Sequence, residues 1–314
     1  MAKTERAIYI EGREKSPFFF FYRDWGLMRY WFRGVERYFP WIRTIHFITW
    51  GHVPLWLNVN HPRLHIVRHE DFIPYEFCPT FSVNPIELNL HRVEGLSERF
   101  IYANDDMFFV GSIASNYYFQ DGLPCDCLCL SPITEACMDG FGHILWNNIA
   151  CINRHFTMER CMEEHGEKWF TSEYPPEVLS RNKMGEQLQC FPGFRNEHLP
   201  IPFLKRTFEE VWEKENTLLR QTCGHRFRSI EDVSDWLMRY WQLAKGDFVP
   251  RTPVGTVIPI SAPEEKLRDT LLNPQYPIIC LNDGDGEVDY AERSAYLRSL
   301  FEIILPEMSS FENY

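Results

Sequence analysis

Apolar and polar positions follow two different periods along the first third of the chain. From Gly26 to Tyr38, GLMRYWFRGVERY spaces its apolar residues by three and four and stops at Pro40, which predicts an amphipathic helix. TIHFITW, Thr44 to Trp50, is rich in β-branched and aromatic residues and is closed by Gly51. RLHIVRH, Arg63 to His69, alternates in the same way, and both stretches predict strands. A helix from about Asn84 to Val93 then leads through Gly95 into a buried strand at Phe100, Ile101 and Tyr102. Strands alternating with helices in this way predict an α/β sheet with crossover connections.

Beyond about residue 110 the pattern changes. Residues 148–164, 203–219 and 230–243 read as helices, and 290–305 as a final helix stopped by Pro306. Residues 167–202, rich in Pro, Gly and Asn, read as loops, and PVGTVIPISAP, 253–263, as a connecting loop or an edge strand. The expected organisation is an α/β half, residues 1–125, followed by a mostly helical half, residues 126–314, forming one compact catalytic unit.

Composition narrows the class. A chain of 314 residues with 45% hydrophobic and 16% aromatic content has ample material for a core. SPFFFFY, Ser16 to Tyr22, is far short of a membrane span and is expected to be a core strand. A net charge of -12 argues against a general nucleic-acid binder, since phosphate backbones reward clustered Lys and Arg. It leaves room for a local basic pocket that takes one phosphorylated ligand.

Ten cysteines are scattered without CxxC pairs and without a recognisable signal peptide, so a reducing cytoplasm is the expected compartment. Cys125, Cys127 and Cys129 in CDCLC could offer thiolates to a soft metal, but alternate cysteines more often serve as small buried hydrophobes. Trp31, Trp41, Trp50 and Trp56 could stack on sugar rings, although at this aromatic density core positions are the simpler reading.

Four stretches carry candidate chemistry. In FIYANDDMFFVGS, Asn104, Asp105 and Asp106 follow an apolar strand, where α/β sheets hold ligands, and two adjacent carboxylates suit a hard divalent cation or simply a cap and a solvated acid. In TFSVNPIELNLHRVEGL, Glu87 and His91 share a helix face at i and i+4, with Arg92 beside them, as a site or as a surface ion pair. His198, in EHLPIPFLKR just before a predicted helix, has the proton affinity for transfer at neutral pH or is an ordinary loop residue. In HRFRSIEDVSDWLMRYW, Arg226 and Arg228 precede a Ser229-led helix with Asp232 as its capping-box acid, a place for a phosphate or for solvated arginines.

In this order the blocks resemble the Stealth family of sugar-phosphate transferases, which includes bacterial capsular and exopolysaccharide phosphotransferases and the lysosomal-enzyme N-acetylglucosamine-1-phosphotransferase. The resemblance runs from Tyr22 to the C-terminus through YRDWGLMRYWFRGVERYFPWI, TFSVNPIELNLHRVEGLSERFIYANDDMFF, HLPIPFLKRTFEEVW with HRFRSIEDVSDWLMRYW, and ICLNDGDGEV with LPEMSSFE. The second block is the most specific. The resemblance implies a glycosyltransferase-A-like mixed sheet that binds a nucleotide sugar, with helical additions in the C-terminal half. It implies transfer of a sugar 1-phosphate from a UDP-hexose or UDP-N-acetylhexosamine to a glycan hydroxyl, with release of UMP.

Carried over by motif, Glu87, Asp105, Asp106, His198 and Arg228 are the implied catalytic residues. Asp24, Arg29, His91, Arg92, Asn104 and Arg226 are the implied substrate contacts, and Asp105 and Asp106 the implied ligands of Mg²⁺ or Mn²⁺. The implied setting is the cytoplasmic face of a membrane, with peripheral attachment and a glycan acceptor that can be lipid-linked. Two departures stand out. RDWGLMRY replaces the family's usual RDNGELRY, so Trp25 and Leu27 stand where an amide and a carboxylate are common. The family's opening segment, of the type DFVYTWVDGSDP, has no match here, and RAIYIEG, Arg6 to Gly12, could fill that strand position but lacks its aspartates. The other readings are a metal-dependent glycosyltransferase that releases UDP, and an inactive glycan-binding relative. Donor sugar, acceptor hydroxyl and oligomeric state stay open.

Overall fold

The first amphipathic pattern becomes α1 (Met28–Tyr38), which ends where the Phe39 N–H closes on the Val35 carbonyl. The computed structural model describes residues 25–134, 141–283 and 288–313. The next elements are β1 (Ile45–Thr49), β2 (Leu64–Arg68), α2 (His69–Phe72) and α3 (Val83–Leu88). They are followed by β3 (Arg99–Tyr102), β4 (Met107–Phe109), β5 (Phe119–Gln120), β6 (Leu123–Asp126), α4 (Gly142–His155), α5 (Met158–His165) and α6 (Pro176–Gly185). The rest is β7 (Ile201–Leu204), α7 (Lys205–Lys214), α8 (Asn216–Gly224), α9 (Trp236–Lys245), β8 (Val249–Pro250), β9 (Thr256–Pro259), α10 (Glu264–Leu272), β10 (Ile278–Asn282) and α11 (Tyr290–Ile304).

These elements belong to two compact units interleaved along the chain. Among the described residues the smaller takes 25–40, Asp105–Ser112 and 255–283 with 288–312. Its sheet has the order β4-β10-β9, with β10 antiparallel to β4 and parallel to β9. α10 makes the crossover between the two parallel strands, the connection expected of a βαβ unit. Tyr30, Phe108, Ile258, Leu267, Leu281 and Phe301 are among its core residues. Within this core Arg33 is buried, and its guanidinium meets Glu312 through Nε–Oε1 at 2.8 Å and Nη2–Oε2 at 3.1 Å.

The larger unit comprises Trp41–Asn104, Ile113–Val254 and the residue Asn313. It holds three small sheets: β1 parallel to β2, β3 antiparallel to β7, and the order β5-β6-β8. Its helices pack around one large apolar cluster that includes Leu88, Ile152, Phe203, Phe208, Val211, Leu237 and Trp241. Helix α9 organises this unit because one face carries buried polar groups at i, i+4 and i+7: Asp235, Arg239 and Gln242. Gln242 accepts from the Leu204 N–H at 2.9 Å and donates to the Pro202 carbonyl at 3.2 Å, which ties β7 to the helix.

Several expectations need correction. The secondary structure is mixed α/β, but instead of one extended sheet the strands form four separate sheets of two or three strands among the described residues. The strand at 99–102 is only partly buried, and it pairs antiparallel with β7, a strand that lies where loop and helix were expected. The helix expected over 84–93 stops at Leu88, because the Asn89 side chain itself donates to the Pro85 carbonyl at 2.8 Å in place of a continuing backbone turn. The helix expected over 148–164 is two helices, with Thr157 capping the second through the Arg160 N–H. The Pro- and Gly-rich stretch 167–202 contains α6, started by Pro176 at a position where its missing N–H costs nothing. Residues 203–219 divide into the end of β7 and two helices that meet at Glu215. SPFFFFY and RAIYIEG lie outside the described residues.

Candidate active site

The larger unit brings together two buried carboxylates. Glu87 sits on α3 and Asp235 stands at the N-cap of α9, and each is 5% exposed. They hydrogen-bond to one another, and two carboxylates in contact away from water must share a proton. Burial first, and the negative charge of Asp235 second, push Glu87 well above the usual carboxylate range, while the Tyr102 hydroxyl and Arg228 act the other way. Asp235 is pushed up to about 6 by burial, against the hydrogen bond from Glu87, the Trp236 N–H and the charges of His198 and Arg239.

Tyr102, at the end of β3, donates to Glu87 Oε1 at 2.8 Å. Glu87 therefore has a fixed rotamer, with one oxygen held by a phenol and the carboxyl facing Asp235. His198 acts on Asp235 and Arg228 on Glu87, so a titratable imidazole and a permanent cation lie within electrostatic reach of the pair. His198 is partly exposed on the loop before β7.

Two networks set these positions. Asp232 is fully buried, and its carboxylate accepts from Asn84 Nδ2 at 3.0 Å and from the Ser229 N–H at 2.9 Å, with His225 Nδ1 2.7 Å away. Asn84 and Glu87 are one turn apart on α3, so Asp232 fastens the loop that carries Arg228 to the helix that carries Glu87. This use of Asp232 corrects the capping-box expectation, since the helix starts only at Trp236. In the second network Arg239 grips Asp126 through Nε–Oδ2 at 2.7 Å and Nη2–Oδ1 at 2.9 Å. Its Nη1 also donates to the Arg195 carbonyl and to Asn196 Oδ1, both at 3.0 Å, which anchors the chain just ahead of His198.

Of the residues singled out in the sequence, Glu87, His198 and Arg228 are thus gathered in one unit. Asn104 closes the segment after β3 in the same unit. His91 is buried against Phe208 and Trp212, with ring centroids 5.8 and 6.1 Å away. Its proton affinity is pushed down to about 3, chiefly by burial and then by Arg92 and Lys205, so it is a neutral imidazole. Arg92 is exposed, donates to Asn89 Oδ1 at 2.9 Å and lies over the Trp212 ring at 4.9 Å. Arg226 is exposed, and its carbonyl accepts from the Phe81 N–H at 2.8 Å.

Asp105, Asp106 and Arg29 belong to the smaller unit, and Asp24 lies outside the described residues. There Asp105 is exposed, and Asp106 Oδ2 receives the Cys280 thiol at 3.4 Å. Burial first, then Asp106, pushes that thiol up. Adjacent carboxylate oxygens are donors of the kind that Mg²⁺ or Mn²⁺ takes.

The CDCLC cysteines are all buried, and burial raises each thiol. They behave as small hydrophobes, Cys127 and Cys129 packing with Tyr174 and Val178. Asp235, Tyr102 and Arg239 are the participants that sequence reading missed. The available signal was the polar i, i+4, i+7 stripe on an otherwise apolar helix, which no surface helix needs.

Comparison with known proteins places the chain. The description Stealth protein CR2, conserved region 2, matches residues 21–125, the stretch that carries Glu87 and the acidic pair. The chain is 39% identical over 292 residues, 93% of its own length and 87% of the relative's, to the capsular polysaccharide phosphotransferase WcwK of Streptococcus pneumoniae. The chain belongs to the Stealth family of phosphotransferases. Two further Stealth relatives are the receptor polysaccharide phosphotransferase WefC of Streptococcus gordonii, 35% identical over 93% of this chain and 87% of that one, and the exopolysaccharide phosphotransferase cps2G of Lactiplantibacillus plantarum, 33% identical over 98% of this chain and 91% of that one. The family assignment covers nearly the whole chain and includes every element of the carboxylate cluster. No described helix is long and apolar enough to cross a membrane.

Proposed function

We propose that this chain transfers a sugar 1-phosphate from a nucleotide sugar, a UDP-hexose or UDP-N-acetylhexosamine, to a glycan hydroxyl in capsular or exopolysaccharide synthesis. The observation that carries this reading is the buried Glu87–Asp235 pair, held by Tyr102, with His198 and Arg228 in reach of it. Phosphoryl chemistry demands little covalent work from the protein beyond alignment, charge neutralisation and management of one proton. The cluster contains a group for each of these tasks.

In the proposed reaction the acceptor oxygen bonds to the β-phosphorus, and the bond from that phosphorus to the oxygen bridging to the α-phosphate breaks. The products are a glycan phosphodiester and UMP. His198 takes the proton of the acceptor hydroxyl, and Arg228 neutralises charge that develops on the diphosphate. The proton shared by Glu87 and Asp235 holds the pair to a single negative charge, which limits its repulsion of the diphosphate. Asn104, Arg226, Arg29 and Asp24 contribute to orienting donor and acceptor. Asp105 and Asp106 are the residues that would hold Mg²⁺ or Mn²⁺, which when bound supplies positive charge against the diphosphate. A glycosyltransferase-A-like handling of the nucleotide sugar, at the cytoplasmic face of the membrane where lipid-linked glycans are built, accompanies this reading.

The test is product analysis. The chain is incubated with a panel of UDP-sugars, a glycan acceptor and Mg²⁺, and the released nucleotide is separated. UMP is the expected product. UDP would make the protein a transferase of the bare sugar, and no nucleotide release with any donor, combined with unaltered UDP-sugar binding in His198→Ala and Arg228→Ala, would make it a binding protein.

A further inference from the structure

On the larger unit, in a cluster the proposed reaction does not use, three side chains of metal-binding type converge. Cys151 and His155 lie one turn apart on α4. Glu215 is the residue between α7 and α8. Its N–H closes on the Val211 carbonyl at 2.8 Å, and its own carbonyl accepts from the Leu219 N–H at 3.0 Å. With the backbone fixed on both sides, the Glu215 carboxylate is delivered to α4. His155 Nε2 lies 2.6 Å from Glu215 Oε1, and the fully buried Cys151 thiol donates to the same carboxylate. Arg154 Nη2 holds the other oxygen, Oε2, at 2.9 Å.

We propose that Cys151, His155 and Glu215 form a binding site for a thiophilic divalent cation of the Zn²⁺ class. One sulfur, one nitrogen and one oxygen donor lie within 4.8 Å of one another. A tetrahedral Zn²⁺ with bonds of roughly 2.0–2.3 Å sets its ligands roughly 3.5 Å apart, so side-chain rotation on the existing backbone closes the set. The mixed donors select against Mg²⁺, which takes oxygen and keeps its waters. Arg154 orients the carboxylate through Nη2 to Oε2 and, at 3.4 Å, Nε to Oε1, the part that outer partners play in metal centres. His155 is about a quarter exposed, which gives the ion an entry path and leaves a fourth position for water.

The experiment uses the full chain and Co²⁺ alone as the probe. One equivalent is expected to bind with a near-ultraviolet thiolate-to-cobalt absorption band that Zn²⁺ displaces. The band should be lost in Cys151→Ser and Glu215→Gln and retained in Asp106→Asn, which makes the result independent of the reaction proposed above. As a check that does not perturb the core, Zn²⁺ should raise the thermal midpoint of the wild type but not that of His155→Gln. Absence of the band under excess Co²⁺, a band unchanged by Cys151→Ser, or an equal Zn²⁺ shift in His155→Gln would each overturn the site.

Discussion

The Tyr102 hydroxyl donates to Glu87 Oε1 at 2.8 Å, and this contact joins the end of a two-stranded sheet to a buried carboxyl on a short helix. Because the donated hydrogen bond favours ionised Glu87, Tyr102→Phe should leave Glu87 holding its proton more tightly. The alkaline limb of the rate profile is expected to move to higher pH, and kcat to fall by about tenfold, the worth of a buried hydrogen bond. A full kcat-against-pH series checks both.

Asp235→Asn should act in the opposite sense on the same limb. Removing its negative charge takes away the second largest cause of the raised Glu87 proton affinity, so the alkaline limb should move to lower pH. Asp235 itself also makes stability depend on pH. Its folded value, about 6, lies above its unfolded value of 3.8, so its contribution is full below the unfolded value and is lost as pH rises through about 6. Thermal midpoints of Asp235→Asn, relative to wild type, should therefore improve between pH 4 and pH 7.

The Asp126–Arg239 pair is buried on both sides and doubly hydrogen-bonded. Arg239→Met strands the Asp126 charge and should cost about 3–5 kcal/mol, whereas the double variant with Asp126→Leu should recover a large part of that loss. Denaturant midpoints decide this. Equal losses in the single and double variants would mean that the contacts to Arg195 and Asn196, not the ion pair, carry the effect.

Gly34 lies inside α1, where alanine ordinarily stabilises a helix by roughly 0.5–1 kcal/mol. Here a Cβ would come within 2.4 Å of the Phe109 carbonyl oxygen, backbone that cannot rotate away. Overpacking should win, and Gly34→Ala is expected to destabilise by about 1–3 kcal/mol. A raised thermal midpoint would show that α1 can shift away from β4.

Removal of divalent ions with EDTA should abolish nucleotide release, and Mg²⁺ or Mn²⁺ should restore it. Asp106→Asn should raise the cation concentration needed for half-maximal rate at least tenfold while leaving the thermal midpoint within a few degrees. Full activity in EDTA would remove Asp105 and Asp106 from the metal role.

Local periodicity made α1, β1, β2 and α11 legible within a residue or two, since each is an uninterrupted run whose neighbours in sequence favour the same state. It failed where a side chain outbids the backbone. Asn89 ends α3 by taking a carbonyl the helix would have used, and Asp232 spends its oxygens on Asn84, Ser229 and His225 instead of opening a helix. It also failed at β7 and α6, where Pro-rich composition reads as loop although prolines are tolerated in a short two-stranded sheet and at a helix start.

By itself the chain of letters determined the family, through ordered blocks that survive because each is a contiguous word. It also determined that Glu87, His198 and Arg228 are residues of interest. Only the tertiary structure decided that Glu87 keeps company with Asp235 and Tyr102, that Asp235 shares a helix face with Arg239 and Gln242, and that Cys151 and His155 meet Glu215. Those are properties of burial and of partners far apart in sequence, and a carboxyl group's proton affinity is set by which distant elements exclude water from it.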